Sequence, residues 1–285
     1  MAEFFLTHRL QQRKQAQERL QKLLSTPEEV YLIHYTGESF FHPVGRTPRP
    51  AAVVCHHLGS QQTKSFALHL TAERIERRTG QKLREFNLTT LDQVEQEMLL
   101  DLGQFFKARR KGTFIHWQMR DIHFGFETLR HRWNLYFDKD FPIKEEQTVN
   151  LANLLEDIYT EEYAPDSIVV KKDIFQQGES STKLDGKLLC LAYQNGIKLK
   201  MARSGNVEAK WFEDQKFLDL HHSAMRKVRL MEKILKLTLS RQLRVRYAWK
   251  QYGLSAQGFF VFCKNHWLGA LLLAAVGWGI KYWMG

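Results

Sequence analysis

The strongest constraint on this chain is an apolar run close to its C-terminal end. From Trp267 to Ile280 no charged residue appears, and lysines and aromatics flank the run at Lys264, Lys281, Tyr282 and Trp283. A membrane span takes roughly 20 mostly apolar residues, because the hydrocarbon core is about 30 Å thick and a helix rises about 1.5 Å per residue. The run reaches that length when Lys281 extends to the interface and Tyr282, Trp283 and Met284 sit among the headgroups. Gly269, Gly277, Gly279 and Gly285 suit close helix packing in lipid, whereas each glycine costs a soluble helix about 1 kcal/mol. Residues 265–285 therefore read as a transmembrane tail anchor. The competing reading is an amphipathic or buried core helix.

What precedes the run agrees with an anchor. Between Arg226 and Lys250 stand nine basic residues and one acid, Glu232. Cations beside a span hold to an anionic leaflet and stay on the cytoplasmic side. Arg241, Arg244, Arg246, Lys250 and Lys264 are read as lipid-facing in a basic juxtamembrane segment over 241–264. The expected placement is single-pass in the inner membrane with the body in the cytoplasm. A solvated basic helix face is the plainer explanation of the same charges. The N-terminal residues MAEFFLTHRLQQRKQ lack the continuous apolar core of a signal peptide.

The formal net charge of +11 favours phosphate-bearing partners, either nucleic acid or anionic lipid. Cys55, Cys190 and Cys263 are scattered and unpaired in spacing, as in small buried residues of a reducing compartment. No histidine pair has a HExxH-type ligand spacing.

The rest of the chain reads as one body over 29–240 behind an N-terminal helix over 1–28. Phe4 to Leu24 is expected to be helical, ending at Ser25-Thr26-Pro27. Val30 to Tyr35 has the composition of a central strand, and Ala51–Leu58 and Thr63–Leu68 that of a hairpin. Asn87 caps a long amphipathic helix with Leu91, Val94, Met98, Leu102, Phe105 and Phe106 on its inner face. Thr113–Trp117 is a further strand, followed by a helix through Phe126 and Leu129. Helices are expected over Asn150–Tyr159, before Gly196, and as one long element from about Phe212, after a turn at Ser204-Gly205. This order predicts an α/β fold, a mixed sheet flanked by helices.

Four blocks, in this order, resemble the ribonuclease-H-like 3′–5′ exonucleases that use three aspartates and a glutamate, in their histidine-bearing subclass. The first is Tyr31-Leu32-Ile33-His34-Tyr35-Thr36-Gly37-Glu38, where the family carries Asp-x-Glu. The second is His116 to Asp121 before a helix, and the third is Lys183 through Gly196-Ile197. The last is His221-His222 to Lys227, where the family carries His-x-x-x-x-Asp. The resemblance implies a ribonuclease-H-like sheet over about residues 30–240. It implies a site at Thr36, Glu38, Asp121, His222 and Lys227. Two hard dications about 4 Å apart need four carboxylates; here only Glu38 and Asp121 remain, with Thr36 and Lys227 in the other two places. The Lys227 ammonium is then expected to replace a metal and pair with Asp121 or Glu38.

The expectation is a degenerate site with no catalytic residue and no cofactor. The rival is an active membrane-tethered exonuclease using magnesium or manganese at Glu38 and Asp121, with His222 and a further acid such as Asp214 or Asp219. A third arrangement brings His34, His116 and His222 together on a softer metal. With its tail, the chain also resembles the anchored effectors of antiphage systems, those paired with short prokaryotic Argonautes among them. That likeness implies a protein partner, nucleic acid as a second partner, oligomerisation through the tail, and membrane disruption as the effect. A tether with neither activity is the remaining class.

Overall fold

The computed structural model describes residues 2–39, 46–80, 87–119, 125–171, 174–175 and 181–246. The tail run and Asp121 lie outside the described residues. No described helix is long and apolar enough to cross a membrane. Contacts divide the chain into two compact units. Among the described residues one comprises 2–20, 153–164 and 245–246, and the other 21–152 and 165–244.

The larger unit is built on a five-stranded sheet. Strands β1 (Val30–Gly37), β2 (Pro50–His57), β3 (Thr63–Ala67), β4 (Thr113–His116) and β5 (Thr148–Asn150) lie in the order β3-β2-β1-β4-β5. The hairpin β2–β3 and the pair β1–β2 are antiparallel, whereas β4 runs parallel to both β1 and β5. This mixed order, with helices on its faces, is compatible with a ribonuclease-H-like fold. The expected central strand and hairpin fall where the β-branched and aromatic runs placed them.

The pleat of β1 decides what each face carries, since alternate side chains point to opposite sides. Ile33 and Tyr35 enter the main apolar cluster with helices α2 (Leu68–Thr79), α3 (Leu88–Lys107) and α4 (Phe126–Asn134). Leu32, His34 and Thr36 point the other way, and helix α8 (Phe217–Leu239) packs along β1 and β2. Asn87 caps α3 by accepting from the Thr90 backbone N–H at 2.9 Å. All six expected inner-face residues of α3 are buried. At the end of β1 the register shifts between Thr36 and Gly37. A Cβ on Gly37 would fall on the Arg49 carbonyl oxygen, so glycine is what lets the two backbones meet there.

Three features differ from the sequence reading. The long helix expected from Phe212 is two helices, α7 (Gly205–Glu213) and α8. Gln215, left-handed at φ 54°, breaks them apart, and Phe212 and Phe217 pack edge to face across the break with centroids 5.6 Å apart. The residues at Ser204-Gly205 begin α7 instead of forming a turn before it. Strands β5, β6 (Ser167–Val170) and β7 (Thr182–Asp185) are three or four residues long, too short to show a period. β6 and β7 pair as an antiparallel ribbon before α6 (Lys187–Gln194).

The smaller unit contains most of α1 (Ala2–Ser25) and of α5 (Leu151–Tyr159). In it Arg9 pairs with Glu161 at 3.7 Å, and the Arg246 backbone N–H donates to the Tyr163 carbonyl at 2.9 Å.

Candidate functional site

At the C-terminal end of β1, Thr36 is buried and its hydroxyl donates to the Leu220 carbonyl of α8 at 3.2 Å. Two residues on, Glu38 is held by Arg46 through both guanidinium nitrogens, at 2.5 and 2.9 Å, and accepts from the Arg49 backbone N–H at 3.2 Å. Thr36 at the end of β1 and Glu38 just beyond it, two of the expected site positions, therefore each serve a protein contact. Asp121, the third expected position, lies outside the described residues.

The fourth position is Lys227. Its ammonium is buried between α7 and α8, 2.6 Å from a Glu208 carboxylate oxygen, with both side chains less than a tenth exposed. The other Glu208 oxygen accepts from the Ser223 hydroxyl at 2.5 Å, and that hydroxyl accepts from the Arg203 backbone N–H at 3.0 Å. Lys227 thus pairs with Glu208, where Asp121 or Glu38 was expected; Arg46 holds Glu38, and Asp121 lies outside the described residues. Ser223 and Lys227 stand four apart on α8 and meet Glu208 on the first turn of α7, a tertiary meeting that no local spacing announces. Burial pushes the Glu208 carboxyl upward, and the Lys227 charge opposes that. On β1, His34 is pushed well below the ordinary histidine range by burial first, then by the positive Lys227 and by His116.

His222 is not brought to Lys227. Its ring stacks on His221, centroids 6.2 Å apart, and His221 in turn lies 5.1 Å from the His69 ring. Burial, with His69 and His222 adding to it, pushes His221 down to about 4. Asp214 pairs with Lys216 at 3.1 Å. The arrangement of His34, His116 and His222 on one soft metal fails on the pleat. His116 is in register with Ile33, so it lies on the face opposite His34. There it accepts from the Met119 backbone N–H at 3.0 Å and packs against Phe126. Among the described residues no three His, Cys, Asp or Glu side chains come together to hold a metal ion.

Two further charged networks went unseen in the sequence. Glu95, fully buried on α3, forms an ion pair with Arg49 at 2.9 Å and accepts from Arg132 at 2.7 Å and the Tyr136 hydroxyl at 2.9 Å. Asp92, half exposed, takes the other terminal Arg49 nitrogen at 2.6 Å. The spacing of Asp92 and Glu95 puts both on one face of α3, which was the available signal. On the other face of the sheet, Glu232 holds Lys236 at 2.7 Å and Arg229 at 3.1 Å, and Arg229 also meets His56 at 3.0 Å. Arg226 donates to the Leu199 carbonyl. Much of the basic run before the tail is therefore absorbed by the body. Of the five cations read as lipid-facing, Arg241, Arg244 and Arg246 are exposed. Neither Arg241 nor Arg244 forms a salt bridge among the described residues. Lys250 and Lys264 lie outside them.

No protein-family model, curated protein or solved structure matches this chain.

Proposed function

We propose that the protein is a non-cleaving member of the ribonuclease-H-like exonuclease fold, a binding body tethered to the inner membrane by its tail. The observation that carries the loss of cleavage is the Lys227–Glu208 pair. At the position where a two-metal site needs its last carboxylate, an ammonium is neutralised inside the fold. Thr36, in the first acid position, is spent on the Leu220 carbonyl.

The binding role rests on charge. A +11 chain with exposed Arg241 and Arg244 attracts polyphosphate surfaces. The body binds nucleic acid or a nucleic-acid-binding protein. The apolar run from Trp267 to Ile280 brings it to the bilayer, where clustering of the glycine-bearing tails would disrupt the membrane in antiviral defence.

Fractionation of the full chain from a bacterial host, followed by a carbonate wash, tests the tether. The full chain is expected in the washed membrane pellet and a chain ending at Gly258 in the soluble fraction. Recovery of the full chain in the soluble fraction removes the membrane half of the proposal. Absence of both co-purifying nucleic acid and a stoichiometric protein partner removes the binding half.

A further inference from the structure

A second concavity lies far from the site just described. It opens at the other end of β1, between the sheet face that carries Tyr31 and the helices α2 and α3, and holds about 550 Å³. Tyr31 and Thr36 are five residues apart on one strand, about 17 Å at the usual rise, and point to opposite faces. Pockets for small ligands span roughly 300–1,000 Å³ and combine apolar walls with a few polar groups.

The charges around this cleft do not cancel. Arg74 is taken by Asp101 at 2.5 Å and Glu97 at 3.1 Å. Among the described residues Arg109 has only neutral partners: it donates to the Tyr31 hydroxyl at 3.1 Å and to the Phe105 carbonyl at 3.2 Å. Lys64, exposed on the edge strand β3, has the Phe66 ring 6.0 Å away and forms no salt bridge among the described residues. Two cations without acidic partners among the described residues thus border one cavity.

Its walls are aromatic. Phe66 and Phe105 meet edge to face with centroids 5.3 Å apart, and the Arg109 guanidinium lies over Phe105 at 3.8 Å. Tyr31 is stacked between His57 and Phe114. A half-buried guanidinium resting on a ring is suited both to a flat heterocycle and to an anionic oxygen. Gln62 adds a neutral hydrogen-bonding group at the rim.

We propose that this cleft binds a nucleoside monophosphate, the phosphate meeting Lys64 and Arg109 and the base lying along the Phe66–Phe105–Arg109 wall. The proposal is independent of whether the body binds nucleic acid or cleaves it. The cavity volume admits a single nucleotide.

Calorimetric titration of the detergent-solubilised full chain with AMP, GMP, CMP and UMP tests it, with adenosine and inorganic phosphate as separate arms. At least one nucleotide is expected to saturate the protein at one site, and adenosine and phosphate to bind about tenfold or more weakly, as expected when one charge-assisted contact or the stacking is lost. Lys64→Glu is expected to weaken that nucleotide by about tenfold or more at unchanged melting temperature, since the side chain is exposed. The proposal is overturned if none of the four nucleotides saturates the protein, if inorganic phosphate binds as tightly as the best nucleotide, or if Lys64→Glu binds as the natural chain does.

Discussion

The Lys227 ammonium and the Glu208 carboxylate meet at 2.6 Å inside the fold, each less than a tenth exposed. Ser223 completes the carboxylate's shell. Removing one partner of a buried pair leaves an uncompensated charge, which typically costs about 3–5 kcal/mol. Lys227→Ala is therefore expected to lower unfolding stability in urea by that amount. Lys233→Ala, exposed on the same helix, is expected to stay within about 0.5 kcal/mol. Replacing both members, Lys227→Met with Glu208→Leu, is expected to recover most of the loss. A neutral Lys227→Ala would contradict the buried pairing.

The second buried acid makes a parallel test. Glu95 is wholly buried and binds two arginines, whereas Asp92 is half exposed. Glu95→Ala is expected to cost about 3–5 kcal/mol and Asp92→Ala no more than about 1 kcal/mol. Equal costs in denaturant melts would mean that burial does not set the weight of these pairs.

Much of this fold was legible in the sequence because long elements carry their own period. The inner face of α3 and the β-branched run of β1 each repeat often enough to be read, and Asn87 marks its helix start. The charged sites were less legible for a physical reason. Glu208 reaches Lys227 only because Gln215 breaks one helical stretch into α7 and α8. Arg49 reaches Glu95 from the start of β2, 46 positions away in sequence. Such contacts depend on the packed arrangement of elements, which spacing along the chain does not encode. The opposed faces of His34 and His116 follow from the β1–β4 register, which was likewise invisible before the strands were paired.

Packing at the middle of α3 is tight. A Cβ on Gly103 would press into the ring of the buried Trp133. Gly103→Ala is expected to destabilise by about 1–3 kcal/mol through overpacking. Gly205→Ala, with nothing within 4 Å of the added carbon, is expected to be neutral or to stabilise by up to about 1 kcal/mol. Thermal melts of the two variants decide it. A Gly103→Ala melt at or above that of the natural chain contradicts the packing described.

Buried histidines contribute to the pH response. His221 titrates near 4 in the fold, below its ordinary value of 6.5, and His34 is lowered in the same sense. Between those values the unfolded chain binds more protons than the folded one, so stability falls as the pH drops. For His221 this loss is absent above about pH 6.5 and grows progressively toward pH 4. Urea midpoints from pH 7.5 to 4.5 are expected to decline, with a shallower decline in His221→Gln. An identical slope in that variant contradicts the assignment to His221.

The loss of cleavage is the central claim, and a metal titration addresses it most directly. Full-length protein is incubated with 3′-labelled single-stranded DNA and RNA while magnesium or manganese is raised, in the natural chain and in Asp121→Asn. The account predicts no release of 3′ nucleotides at any metal concentration and no difference between the two proteins. Metal-dependent 3′-end degradation that disappears in Asp121→Asn would contradict it and make the protein an active tethered exonuclease.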